Sequence, residues 1–223
     1  MHDRPADTPY KILLVDDHPV FCLGMSELIN KEKDMVVVGS EETDRKARDA
    51  INRLQPDLVI VDISLKGSDG IDLVQEINRH HPDLPVLVLS MYDESLYAER
   101  ALMAGARGYI MKQEAIGLVV KAIRLVVGGD IYASDKVKEK VFKRLVTKQD
   151  RNDQSLLDLL TNRELEVFRL IGDGFSTKEI ADRMHLSHKT IGTYRENIKE
   201  KLGLKHYTEL VKSAVHWSNK LQM

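Results

Sequence analysis

Four short apolar runs, Ile12 to Val15, Leu58 to Val61, Val86 to Leu89 and Tyr109 to Met111, each end abruptly in polar groups: Asp16-Asp17, Asp62, Ser90 and Lys112. The runs are rich in Val, Ile and Leu without polar alternation, which suits parallel strands covered on both faces. Amphipathic segments of helical length lie between them. An open parallel sheet binds ligands beyond the carboxyl ends of its strands. Such a topology gathers three carboxylates, a hydroxyl and an ammonium in one crevice. At ~4 Å and an effective dielectric near 20, each carboxylate pair repels by roughly 4 kcal/mol. The cluster must therefore protonate, spread apart or hold a cation. Oxygen-only ligands select a hard divalent ion, and Mg²⁺ fits best because it completes its shell with water and phosphoryl oxygen. Lys112 and the Ser90 hydroxyl would then meet the same phosphoryl group. The implied chemistry is phosphoryl transfer to a carboxylate. Taken singly, Asp16-Asp17 reads as a cap for the helix that Pro19 opens, and Asp62 as a loop residue; the signal lies in their combination.

A chain of 223 residues predicts two domains, the second small. The net charge of -2 conceals an asymmetry: -7 over residues 1–134, +3 over 135–150 and +2 over 151–223. The acidic excess coincides with the expected metal site, and the basic remainder gives weak support for nucleic acid binding. No run approaches the ~18 apolar residues that would span a bilayer, and Met1 to Pro9 lacks the apolar core of a secretory signal. The single cysteine, Cys22, excludes an internal disulfide and reads as core packing. A cytoplasmic protein without a membrane partner is expected. The eight histidines show no metal-ligand spacing, and His18 reads as structural rather than as a proton shuttle. No G-x-G-x-x-G follows the first strand, which excludes a dinucleotide-binding domain.

The N-terminal part reads as five strand–helix repeats, an α/β doubly wound five-stranded parallel sheet. A second strand is expected over Met35 to Gly39, and helices over Pro19 to Asn30, Thr43 to Leu54, Ile71 to His80, Ser95 to Ala104 and Glu114 to Val127, with Gly105 in a C-terminal glycine position. Residues 1–8 read as a flexible N-terminus, 9–130 as the first domain, 131–154 as a partly helical linker and 155–223 as a smaller all-α domain of four helices. The linker's lysines read as a solvated helix face as readily as a functional one. In the last domain T-N-R-E at Thr161 to Glu164 and S-T-K-E at Ser176 to Glu179 match the capping box. Only Met184, His185 and Leu186 separate its second and third helices, a connection of the helix-turn-helix type.

The motifs V-D-D-H at Val15 to His18, V-D-I-S at Val61 to Ser64, L-S-M at Leu89 to Met91 and G-Y-I-M-K at Gly108 to Lys112 resemble those of a bacterial two-component receiver domain, flavodoxin-like in fold. L-T-N-R-E-L-E-V, S-T-K-E-I-A and S-H-K-T-I downstream resemble the LuxR-type helix-turn-helix DNA-binding domain. End to end, the chain resembles the NarL/FixJ response regulators. The resemblance implies Asp62 as phosphoacceptor, with Asp17, Asp62 and the Ser64 carbonyl ligating Mg²⁺ and Asp16 acting through water. It implies Ser90 and Lys112 on the phosphoryl oxygens and Tyr109 as the switch aromatic, although a half-buried strand tyrosine is an equal reading of that residue. It further implies a sensor histidine kinase as donor, double-stranded promoter DNA as target, RNA polymerase as a further partner, and a homodimer when phosphorylated. Leu118, Val119, Ala122, Ile123 and Val126 form an aliphatic stripe that could serve a dimer or face the sheet. Such a protein catalyses only its own phosphorylation and dephosphorylation and is not otherwise an enzyme.

Two positions depart from the receiver pattern: Lys66 and Gln113 stand where many receivers have proline. A cis bond before Gln113 would cost about 3 kcal/mol more than before proline. In the third helix of the last domain, Ile191, Ile198 and Leu202 are expected to pack against Leu165, Leu170, Ile180 and Met184. The opposite side carries Lys189, Gly192, Thr193, Glu196 and Lys199, which would enter the major groove. Thr190, Tyr194 and Arg195, with Thr177 and Lys178 at the preceding helix start, complete the candidate DNA-binding set, Tyr194 reading almost equally as packing. Gly192 costs the helix roughly 1 kcal/mol relative to alanine. Two other functions remain open: an aspartyl-phosphate phosphatase-like enzyme, which would want an acid where Ser64 stands, and a regulator controlled by protein contacts without phosphorylation.

Overall fold

Each of the four apolar runs becomes a strand with both faces covered. The computed structural model describes residues 8–65, 68–91, 94–146 and 155–221, so Lys66, residues 1–7 of the N-terminal stretch and the connector 147–154 lie outside the described residues. The strands are β1 (Tyr10–Val15), β2 (Met35–Glu41), β3 (Leu58–Asp62), β4 (Val86–Ser90) and β5 (Gly108–Met111). They form one parallel sheet in the order β2-β1-β3-β4-β5. Helices α1 (Pro19–Asn30) and α5 (Ala115–Val127) cover one face, where Ile12, Leu14, Leu58, Ile60, Leu87, Leu89 and Ile110 form a common core. The alternate residues, among them Leu13, Val59, Val61 and Val88, are equally buried on the other side. There α2 (Asp44–Leu54), α3 (Gly70–His80) and α4 (Glu94–Met103) pack on the strands. Burial on both faces is why the sequence shows no alternation.

Gly70 and Gly105 are among the glycines required by close approach. A side chain at Gly70 would collide with the backbone of Asp62 and Ile63, so glycine lets α3 begin directly beneath the loop that leaves β3. Gly105 ends α4 at φ 109°, a left-handed conformation in which any side chain would also strike Asn78. The aliphatic stripe of α5 belongs to the core: Val119, Ala122, Ile123 and Val126 are buried and Leu118 half-buried. The apolar residue α5 presents to solvent is instead Ile116, 77% exposed.

The chain divides into two compact units after Val146. The stretch read as a linker is thus itself divided, because its first half packs within the first unit. Tyr132 bridges to Gly108, its carbonyl accepting from the Tyr109 amide at 3.0 Å and its own amide donating to Arg107 at 2.9 Å. Helix α6 (Asp135–Val146) then lies against α4, and the Ser134 hydroxyl donates to Glu94 at 2.9 Å.

The second unit contains α7 (Ser155–Asp158), α8 (Asn162–Gly172), α9 (Thr177–Arg183), α10 (His188–Lys201) and α11 (Tyr207–Leu221). The short α7 is a turn that the sequence pattern does not announce. Both capping boxes form: the amides of Glu164 and Glu179 donate to Thr161 and Ser176, and the two glutamates accept from the amides of Thr161 and Ser176 at 2.8 Å. Ile180, Met184, Ile191 and Ile198 are buried with Leu165 and Leu170, while Leu202 is half-buried. Phe168 and Trp217 meet at 5.7 Å between α8 and α11.

Candidate functional site

Register places the reactive groups together. Val15 pairs with Val61, Asp62 with Leu89 and Ser90 with Met111, so Asp16, Asp62, Ser90 and Lys112 all emerge at the carboxyl edge of neighbouring strands. This edge includes the place where β1 neighbours both β2 and β3, the point at which the strand order reverses. The Lys112 amide donates to the Ser90 carbonyl at 2.7 Å and so ties the two strand ends together.

Within the crevice the Lys112 ammonium lies 2.6 Å from Asp16 Oδ2 and 2.7 Å from Asp62 Oδ2. Asp62 is 1% exposed and Lys112 5%. Its Oδ1 accepts from the Ser64 amide at 3.2 Å. Burial pushes the Asp62 carboxyl above the usual carboxylate range, an effect that Lys112 only partly offsets. Burial alone would lower Lys112, but the charges of Asp62 and Asp16 outweigh it and raise the ammonium. His18 turns its ring into the cluster, Nδ1 lying 3.0 Å from both Asp16 and Asp17, and its amide donates to Asp16 at 2.9 Å. Ser90, which ends β4, and Tyr109, within β5, are both buried.

Three carboxylates face one ammonium, so lysine leaves about two formal negative charges of the cluster uncompensated. Ligand atoms of Asp16, Asp17, His18 and Asp62 all lie within 4.8 Å of one another. Asp17 Oδ1 and the Ser64 hydroxyl are buried without a hydrogen-bond partner among the described residues. An oxygen-rich, over-charged and under-bonded pocket fits a hard divalent cation. One neighbour is not legible in the sequence: from α1 the ring of Phe21 stands against the Lys112 ammonium, 4.6 Å from its centroid. Its position in the first turn after the acid pair is visible; its contact across the sheet is not.

In the second unit Lys178, Lys189, Thr193 and Glu196 are exposed, while Thr177, Thr190, Gly192, Tyr194, Arg195 and Lys199 are half-buried. Several of these spend their polar groups on one another. The Arg195 guanidinium donates to the Thr177 hydroxyl at 2.8 Å and stacks on the Tyr207 ring at 3.7 Å, joining α9, α10 and α11. Glu196 pairs with Lys199 at 2.7 Å, the Thr193 hydroxyl donates to the Lys189 carbonyl at 3.1 Å, and the Thr190 amide donates to the hydroxyl of Ser187, which caps α10. Lys178 and Lys189 have no ion pair among the described residues. A side chain at Gly192 would meet nothing within 4 Å, so packing does not require the glycine.

Residues 12–124 match the response regulator receiver domain, and residues 158–214 match the bacterial regulatory proteins of the luxR family. The chain is a response regulator of the NarL/FixJ family. It is 34% identical to the oxygen regulatory protein NreC of Staphylococcus carnosus, over 92% of this chain and 96% of that protein. It is 27% identical to the transcriptional regulatory protein DegU of Brevibacillus brevis, over 96% of this chain and 97% of that one. Among solved structures, RcsB from Salmonella enterica serovar Typhimurium, bound to a promoter in the presence of the phosphomimetic BeF₃⁻, superposes with a TM-score of 0.56 at 27% identity. That match covers 93% of this chain and 100% of the RcsB chain. Relatives of this kind are regulators rather than enzymes, which removes the phosphatase reading. In the response regulator no helix among the described residues is long and apolar enough to cross a membrane.

Proposed function

We propose that this response regulator accepts a phosphoryl group on Asp62 from a sensor histidine kinase, and that the product dimerises and binds promoter DNA to regulate transcription. The observation that carries the reading is the excess of carboxylate over ammonium in the crevice, with the Asp62 oxygens at its centre. In the transfer, an Asp62 carboxylate oxygen attacks phosphorus and forms a new O–P bond. The bond from phosphorus to the donor breaks, and its electron pair leaves on the donor atom. Asp17, Asp62 and the Ser64 carbonyl would hold Mg²⁺, with Asp16 acting through water, and the ion would supply charge compensation for the incoming phosphoryl group.

The protein's own residues do the rest. Phosphorylation turns the carboxylate that Lys112 now contacts into an acyl phosphate, which carries about two negative charges and three acceptor oxygens. Lys112 and the Ser90 hydroxyl turn to those oxygens, and Tyr109 follows Ser90. Near-complete switching from a rare active state needs roughly 5 kcal/mol of differential interaction, which charge-assisted bonds of this number can supply. On the output side, Lys178 and Lys189 meet phosphates, while α10 presents Thr193 and Glu196 toward base edges. Thr190, Tyr194 and Lys199 flank them, Gly192 leaves room for close approach, and Arg195 with Thr177 fixes the angle between the helices. The RcsB complex with a promoter and BeF₃⁻ supports both halves of this reading. Contact with RNA polymerase would then follow at the promoter.

The decisive experiment incubates the protein with Mg²⁺ and acetyl phosphate, measures covalent phosphate by intact mass and oligomer size by light scattering, and repeats both with Asp62→Asn. One added phosphate and a dimer on wild type, neither on the variant, is the expected result. DNA affinity that is identical in both proteins, with and without donor, would instead assign control to protein contacts.

A further inference from the structure

We infer that Phe21 is a positioning residue for phosphoryl transfer, acting through Lys112; the inference rests on the function proposed for Asp62. A lysine ammonium has three N–H donors and no acceptor. Asp16 and Asp62 take two of them on one side of Lys112, at 2.6 and 2.7 Å. The Phe21 ring closes another side, 4.6 Å from Nζ to its centroid. A phenyl face attracts a desolvated cation electrostatically yet offers no lone pair. It therefore holds the ammonium in the crevice without committing the third N–H to a strong acceptor. Were a water or a carbonyl in its place, that donor would be spent before the phosphoryl group arrived.

The ring is placed for this by the local fold. Pro19 starts α1 one residue beyond the acid pair, Phe21 falls in the first turn, and its half-buried body packs against the core formed with Cys22 and Met25. The Lys112 backbone is fixed independently by its bond to Ser90, so the freedom left to the lysine is the swing of its long side chain. When an Asp62 oxygen attacks phosphorus and the bond from phosphorus to the donor breaks, one carboxylate partner of Lys112 becomes an acyl phosphate. The ammonium then has to turn toward the phosphoryl oxygens rather than out to water, and the ring is what blocks the outward path.

The test compares wild type, Phe21→Leu, Phe21→Tyr and Phe21→Trp in acetyl phosphate with saturating Mg²⁺, following covalent phosphate by intact mass. Phe21→Leu should slow incorporation by roughly three- to thirtyfold, the range a desolvated ring–cation contact supplies, and the aromatic replacements should restore it. Thermal midpoints are measured alongside, and Phe21→Met takes the place of leucine if leucine lowers the midpoint. An independent readout is the proton spectrum of the Lys112 side chain in metal-free protein: the ring should displace its terminal methylene upfield, and Phe21→Leu should abolish that displacement. Wild-type rates in both aliphatic variants, slowing that tyrosine and tryptophan do not repair, or an undisplaced Lys112 signal in the wild type would each overturn the role of Phe21. Absence of phosphate on the wild type would overturn the function of Asp62 itself, a distinct outcome.

Discussion

Each of the two units buries a charged pair, and they do so with opposite accounting of partners. In the helical unit Glu164 is 3% exposed, yet it accepts from the Lys201 ammonium at 2.7 Å and from the Thr161 amide at 2.8 Å. Burial would raise its pKa, but these bonds more than reverse that and hold the carboxyl below the usual glutamate range. In the sheet unit Lys112 is shared between two carboxylates, a third stands by with a buried oxygen that no hydrogen bond reaches, and Asp62 is raised. Satisfied burial marks scaffold; unsatisfied burial of like charges marks a place built for something else. The units also differ in how they can be watched. The only tryptophan, Trp217, lies in α11 against Phe168, so its fluorescence reports the helical unit while far-UV circular dichroism reports both.

The largest expected effect is on the unsatisfied side. Lys112→Met leaves Asp16 and Asp62 facing each other with no ammonium between them, and breaking a buried pair in this way costs about 3–5 kcal/mol. Urea unfolding followed by circular dichroism should show an early transition that Trp217 does not report, and added Mg²⁺ should move it back toward wild type. A single late transition would show that Lys112 is dispensable as a counter-ion.

Lys201→Met should cost less, about 2 kcal/mol, because Lys201 is 34% exposed and Glu164 keeps the Thr161 amide and can recruit water. This change should appear in the Trp217 transition. The same pair sets a pH dependence. Because the Glu164 pKa is lowered on folding, its contribution is present above the ordinary carboxyl range and is lost as pH falls through the folded value. The acid-side loss of helical-unit stability should therefore be shallower in Lys201→Met than in wild type. Parallel curves would remove Glu164 as its source.

Strand number, strand ends and the acid cluster were legible because each rests on a local pattern: an apolar run, its terminating residue, a glycine or proline. The capping boxes at Thr161 and Ser176 were legible for the same reason. What was not legible depends on contacts between distant segments. The α5 stripe has the same spacing whether it meets a partner or the sheet, and only the packing assigns Val119, Ala122, Ile123 and Val126 to the core. Residues 131–146 read as linker because charge and amphipathicity say nothing of the Tyr132 bridge to β5 or of the seat of α6 on α4. Arg195 is similar. It belongs to the candidate DNA-binding set, and its bond to Thr177 and stack on Tyr207, which the sequence does not show, also make it a brace.

That brace gives a smaller effect. Tyr207→Ala removes the ring from the Arg195 guanidinium and should destabilise the helical unit by about 1 kcal/mol, read from Trp217 in urea. DNA affinity should fall further than stability alone explains, because the start of α9 loses its fixed angle to α10. Tyr207→Phe, which keeps the ring face, should behave as wild type in both measurements. If phenylalanine fails as alanine does, the tyrosine hydroxyl matters and the stacking account is wrong.

The smallest change has the opposite sign. Asp17→Asn removes one of three like charges from the crevice but no hydrogen bond to its buried oxygen. In metal-free protein it should stabilise the sheet unit by about 1 kcal/mol, well below the bare Coulomb repulsion because Asp17 sits at the rim and is screened by solvent. The gain should vanish with Mg²⁺, since the cation relieves the same repulsion in the wild type and binds the variant more weakly. No comparable gain is available in the helical unit, where Glu164→Gln would weaken the contact with Lys201 and should destabilise. Two isosteric amide replacements of acids in one chain, one at the rim of the crevice and one buried, would thus move stability in opposite directions. That sign difference is the sharpest reading of which unit is complete as folded and which waits for a ligand.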